Sequence, residues 1–197
     1  MMFNRVTPEG YFASPDGNLD WVVPENEIDK AGAAAAENTK SGTILFGRRS
    51  YEMFASFWPH VREDSSAAPN PHDPRQQSPE MVAMAKMLNA AEKLVFSRTL
   101  KETTWNNSRI IGEFDPRKIE ALKKETGEDM IIFGSGSIVS LLTQHGLIDE
   151  YQFVVSPLLL GSGKPLFSGV TNGSRLNLLE ARGYPSGTVM LRYARPA

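Results

Sequence analysis

Met130-Ile131-Ile132-Phe133 runs without interruption into Gly134-Ser135-Gly136-Ser137, and then into Ile138-Val139-Ser140-Leu141-Leu142. Four consecutive apolar residues bounded by a glycine turn read as a strand buried on both faces. The next stretch places Ile138, Leu141 and Leu142 on one helical face and stops near Gly146. A further apolar run, Tyr151 to Val155, completes a βαβ unit, and such a unit requires a parallel sheet with helices packed on it.

Working outward, the pattern repeats. Thr43-Ile44-Leu45-Phe46 ends at Gly47, and a helix opening at Arg48 or Arg49 carries Tyr51, Phe54 and Ala55 on one face. A helix over 79–91 precedes a strand over Lys93–Ser97. A helix over 116–126 has Asp115 as its cap, Pro116 in its first position and Gly127 as its stop. At the start, Phe3–Thr7 and Tyr11–Ala13 read as extended pieces around Pro8-Glu9-Gly10, followed by a turn at Pro15-Asp16-Gly17-Asn18. An alanine-rich helix is expected over 24–40, with Glu25, Glu27 and Asp29 in its first turns. At the end, Leu176–Tyr184 and Thr188–Tyr193 flank Pro185-Ser186-Gly187 as an antiparallel hairpin on the sheet edge. The stretch 59–79 is rich in Pro, Ser and Asp and lacks apolar periodicity, so it reads as a long mobile loop or insertion. The expected architecture is an α/β three-layer sandwich with a mixed, mostly parallel sheet, in a single domain over 1–197.

Composition narrows the chemistry. With no cysteine, disulfides, thiolate metal sites and cysteine nucleophiles are excluded together, in keeping with a reducing compartment. His60, His72 and His145 show no metal-ligand spacing, so no metal site is expected. A net charge of −2 gives no long-range attraction for nucleic acid or an anionic membrane. No segment approaches the roughly 18 apolar residues of a membrane span, and the start lacks the apolar core of a signal peptide. A cytoplasmic location is the expectation.

Three strand ends carry groups that seek anions. Gly134-Ser135-Gly136-Ser137 joins a buried strand to a helix start, where backbone can approach a phosphate. It falls short of a dinucleotide fingerprint, because Val139 holds the third glycine position, and tight strand–helix turns also use glycine for purely structural reasons. Gly47-Arg48-Arg49-Ser50 brings two guanidiniums and a hydroxyl to another helix start; solvated surface arginines are the plain alternative. Phe96-Ser97-Arg98-Thr99 ends a third strand with hydroxyls and an arginine. Three such ends imply one shared crevice at the carboxyl edge of the sheet, and the arginines favour NADPH over NADH. Trp21 could wall a flat ring or simply cover the core edge, and Asp16, Asp20, Glu27 and Asp29 are candidate proton donors that also suit turns and helix starts.

Taken in order, NRVTPEGYFASPDGNLDW, ILFGRRSYE, KLVFSRTL, TWNN, DMIIFGSGSIVSLL and GLIDEYQFVVSPLLLGSGKPLF resemble the dihydrofolate-reductase-like family. The likeness is to stand-alone proteins similar to the C-terminal reductase domain of bifunctional riboflavin-biosynthesis enzymes. It implies an eight- or nine-stranded mixed sheet with NADPH bound across strand carboxyl ends. By matching motifs, Gly47, Arg48, Arg49 and Ser50 would hold the phosphates, and Ser97 and Arg98 the adenosine 2′-phosphate. Gly134, Ser135, Gly136, Ser137 and Ile138 would approach the pyrophosphate and nicotinamide, and Trp21 would meet the cofactor. The resemblance also implies a homodimer and hydride transfer to a small heterocycle, as in 5-amino-6-(5-phosphoribosylamino)uracil reduction. Dihydrofolate-type reduction, a nucleotide-binding module without turnover, and a helix-rich interaction scaffold are the alternatives. Where the riboflavin enzymes place a substrate-contacting glutamate, this chain has Gly134, and the catalytic acid is unassigned.

Overall fold

The computed structural model describes residues 1–22, 42–61, 79–125 and 129–196. The helix expected over 24–40, most of the 59–79 stretch and the Gly127 stop lie outside them.

Among the described residues, ten strands and four α-helices follow the chain. They are β1 (Met2–Val6), β2 (Tyr11–Ala13), β3 (Thr43–Gly47), α1 (Arg48–Ala55), α2 (Pro79–Ala90), β4 (Glu92–Phe96), β5 (Ser108–Ile111), α3 (Pro116–Glu125), β6 (Met130–Phe133), α4 (Gly136–Gln144), β7 (Glu150–Val155), β8 (Lys164–Pro165), β9 (Asn177–Gly183) and β10 (Val189–Ala194). Eight of the strands form one sheet in the order β5-β4-β3-β6-β1-β7-β10-β9. The six from β5 to β7 are mutually parallel, and β10 and β9 close the edge as an antiparallel hairpin. This is the mostly parallel α/β sandwich that the pattern predicts.

Every residue of β3 and β6 is buried, because helices cover both faces. Side chains alternate between the two. Ile44, Phe46, Val95, Ile131 and Phe133 pack with Tyr51 of α1 and Leu88 of α2. Leu45, Leu94, Phe96 and Ile132 pack with Ile119 of α3 and Ile138 and Leu142 of α4. Strand ends fall within a residue or two of expectation. Asp115 caps α3 as expected, its Oδ1 accepting the Arg117 amide at 2.9 Å.

Two strands were not anticipated. β5 is an edge strand with an exposed Arg109 between half-buried neighbours, and β8 is two residues long and contains a proline. Neither has a period of its own, and their strand character comes from β4 and β2.

Lys93 in β4 is 0% exposed. Its Nζ donates to the carbonyls of Asn89 and Asn106, both at 3.0 Å, and lies 4.5 Å from the centroid of the Trp105 ring. Burial lowers its pKa from 10.5 to about 8. Between those values the unfolded chain keeps a proton that the folded chain releases, so stability rises with pH across the window. Urea unfolding at pH 8 and 10.5 is expected to show a gain of at most about 3 kcal/mol over Lys93→Met. Parallel pH curves for the two proteins would remove Lys93 as its source.

Candidate functional site

β3 and β6 are neighbours, and each ends in a turn that starts a helix. At the end of β6 the backbone enters the left-handed region twice, at Gly134 (φ 61°) and Ser135 (φ 56°). A non-glycine residue there costs about 1–2 kcal/mol, and the surrounding hydrogen bonds over-determine it. The Ser135 amide donates to Ser50 Oγ at 3.0 Å, and Ser135 Oγ accepts the Gly47 amide at 2.9 Å. The same hydroxyl can donate to the Phe133 carbonyl at 3.4 Å, while Asn4 Nδ2 of β1 donates to the Gly134 carbonyl at 3.2 Å. The two turns are therefore laced together across the sheet.

Above them lies a cleft of about 1050 Å³. Eight of the expected residues, Gly47, Arg48, Arg49, Ser50, Gly134, Ser135, Gly136 and Ser137, border it. Phe3, Phe12, Phe54, Phe96 and Phe133 supply apolar wall. Among the described residues, the amides of Gly136 and Ser137 have no hydrogen-bond acceptor, as befits the first turn of α4. Arg5, Arg48, Arg49 and Lys164 line the cleft, and no Asp or Glu does so among the described residues. Positive charge, free amides and aromatic wall together suit a ligand that is anionic at one end and planar at the other.

The remaining expected residues stand apart from this lining. Ile138 is buried behind the wall, where a side chain on Gly47 would begin 3.4 Å from its Cγ1. Phe96 pairs with Gly47 in register and borders the cleft, but Ser97 and Arg98 beyond it do not. Ser97 is buried, and its Oγ accepts the amides of Thr99 (3.2 Å) and Leu100 (2.9 Å), shaping the turn that leaves Arg98 exposed. Leu19 and Val22 border the cleft whereas Trp21 does not; its Nε1 is enclosed and has no partner among the described residues. The Ser135 and Ser50 hydroxyls, expected to face a phosphate, border the cleft and also accept amides between the turns. Asp16 and Asp20 belong to the turn network around Asn18, with Asp16 Oδ1 accepting the Asn18 amide at 2.9 Å. Glu27 and Asp29 lie outside the described residues.

Sequence reasoning missed Phe12 and Lys164. They face each other's strands across the two-stranded β2–β8 pairing, which forms the outer wall. Lys164 sits in the glycine-rich GSGKP segment, the one local signal that could have drawn attention to it. Among the described residues no group of three His, Asp or Glu side chains could hold a metal ion, and no helix is long and apolar enough to cross a membrane.

Residues 1–190 match the family described as RibD C-terminal domain. An uncharacterized protein of Bacillus subtilis, YyaP, is 28% identical over 188 residues, spanning 95% of this chain and 90% of its own. A solved protein of Shewanella sp. PV-4 superposes with a TM-score of 0.71 at 21% identity, covering 100% of this chain and 98% of the other. The Thermotoga maritima diaminohydroxyphosphoribosylaminopyrimidine deaminase/5-amino-6-(5-phosphoribosylamino)uracil reductase gives 0.60 at 12% identity, covering 99% of this chain and 56% of that one. Dihydrofolate reductase from Enterococcus faecalis, solved with NADP(H), gives 0.61 at 12% identity, covering 100% and 95%.

Proposed function

The chain belongs to the RibD C-terminal domain family, and on that footing we propose that it is a cytosolic NADPH-dependent oxidoreductase of a small heterocycle, closest in type to 5-amino-6-(5-phosphoribosylamino)uracil reductase. The observation that carries this reading is the pair of laced turns. They bring Arg48 and Arg49 to the same cleft as the Gly136 and Ser137 amides, which have no acceptor among the described residues. When bound, NADPH supplies a hydride. The chain's own part is to bind and orient. The arginines and the α4 amides hold phosphate, Phe3, Phe54 and Phe133 present a dry face to the rings, and Arg98 at the neighbouring strand end meets the 2′-phosphate. Ser97 shapes the turn that presents Arg98, Ile138 lies beside Gly47, and Trp21 is carried between Leu19 and Val22, which border the cleft. The proton comes from a carboxylic acid or an ordered water in this reading, and no carboxyl group of the described residues lines the cleft.

A second reading is a nucleotide-binding module that turns over no substrate, the fold being kept without a competent proton donor. Titration with NADPH, followed by a panel of pterins, folates and ribosylaminopyrimidines, separates the two. Oxidation of NADPH by a panel member supports the reductase, and binding with no oxidation supports the module. Arg98→Ala is expected to weaken NADPH by about 1–3 kcal/mol while leaving NADH nearly unchanged. Equal losses for the two nucleotides would take Arg98 out of the 2′-phosphate role.

The proposal treats residues 1–197 as one domain and two chains as the working unit. The contact is placed at the open edge strand β9, where Leu178 and Leu179 are 58% and 48% exposed. A monomeric mass in sedimentation equilibrium would count against the dimer.

A further inference from the structure

A side chain on Gly17 would begin 2.9 Å from Lys164 Nζ and 3.7 Å from Arg49 Nη1. Two cations from distant parts of the chain thus meet at the tip of one turn, on the border of the cleft. Neither has an ion-pair partner among the described residues. Like charges held together without a counter-ion repel, and an anion placed between them relieves that repulsion. Lysine as a point charge beside an arginine fork suits a phosphate group with several free oxygens.

Lys164 is held in place through its strand. It pairs with Ala13 across β2–β8, and the Leu166 amide donates to the Gly10 carbonyl at 3.1 Å. The loop leading into β8 is tied down by Glu9, whose carboxylate accepts the amides of Leu160 at 2.7 Å and Gly161 at 2.9 Å. Glu9 is exposed and does not border the cleft.

We propose that Lys164 and Arg49 form an anion subsite for a phosphate group of the bound ligand, and that Glu9 is a positioning residue holding Lys164 there through the loop it anchors. This goes beyond the reductase reading, because the subsite recognises phosphate whichever molecule carries it. The geometry also separates Glu9's role from its field. Removing a negative charge strengthens anion binding through the field alone, so a weakening reports lost position.

The full chain is titrated calorimetrically with inorganic pyrophosphate at low salt. Lys164→Met is expected to lose about tenfold or more in affinity, Lys164→Arg to retain most of it, and Glu9→Ala to lose about threefold or more. Repeating the titration on NADPH-saturated protein distinguishes the source. Exclusion of pyrophosphate assigns the subsite to the cofactor's phosphates, whereas Lys164-dependent binding alongside NADPH assigns it to a phosphate on the substrate. Lys164-dependent pyrophosphate binding by a chain that does not bind NADPH would sink the cofactor reading and keep the subsite. Pyrophosphate binding to Lys164→Met with wild-type affinity overturns the subsite, and tighter binding to Glu9→Ala overturns the positioning role.

Discussion

Gly136→Ala is expected to destabilise the fold and to remove most of the NADPH affinity, although helix propensity argues the other way. Replacing glycine by alanine in a helix gains up to about 1 kcal/mol. Against that, a Cβ at Gly136 would begin 2.4 Å from Cε1 of Phe12, 2.6 Å from its Cζ and 3.1 Å from its Cδ1. The obstacle is an aromatic ring packed against the sheet cluster and carried on β2, so it cannot swing aside as the end of a long flexible chain would. Overpacking of this kind costs about 1–3 kcal/mol, so the collision outweighs the propensity gain. Either α4 recoils or Phe12 turns into the cleft, and both displace the turn that presents the Gly136 and Ser137 amides. A misplacement near 1 Å can cost about a hundredfold in binding or rate. Thermal unfolding and NADPH titration of Gly136→Ala measure the two effects, and Phe12→Ala in the same chain should restore part of each. Wild-type stability and affinity in the single variant would show that the ring yields freely.

Tyr51→Phe is expected to carry the second large effect, this time on stability. The Tyr51 ring is 2% exposed and packs against Phe46 and Trp105. Its hydroxyl accepts the amide of Trp105 at 3.0 Å and that of Thr104 at 3.2 Å. Phenylalanine keeps the ring contacts and leaves two amides without their acceptor, one of them buried. A stranded buried donor costs about 1–3 kcal/mol, and a total of about 2–4 kcal/mol is expected here. Urea unfolding should show a lower midpoint with an unchanged slope. Because Tyr51 lies one residue beyond Ser50, the bond also sets how α1 seats on β3, and through it where Arg48 and Arg49 begin. A midpoint equal to wild type would mean that water replaces the lost acceptor.

The interior of this fold was legible because burial on both faces leaves an unmistakable trace. Ile44 to Phe46 and Met130 to Phe133 are apolar throughout, and a glycine, Gly47 or Gly134, marks the end of each. β5 and β8 leave no such trace. Their residues are half solvated, and only a neighbouring strand makes them extended. In the same way, the strand ends after β3 and β6 told which turns would share a cleft, since adjacent parallel strands place their carboxyl ends together, whereas of the third end, after β4, only Phe96 borders it. They could not tell what each hydroxyl would do. Ser135 reads as a phosphate donor until Gly47, 88 residues earlier, supplies the amide that engages it. Nor could they tell that Ser97 Oγ would also accept two amides of its own turn. Arg49 was visible as a charge, but its meeting with Lys164 at Gly17 depends on the pairing of β2 with β8, which no local pattern announces.

The lacing between the turns also bears on how this molecule is born and how it comes apart. The Gly47–Ser135 and Ser50–Ser135 bonds close stretches of 88 and 85 residues, among the contacts that a collapsing chain reaches last. On the proposed reading, a nucleotide finds its pocket only once those loops have shut, so it would not hasten the assembly of the chain. It would act on the return journey, as a weight on a door already closed, lengthening the life of the native state by holding back its escape.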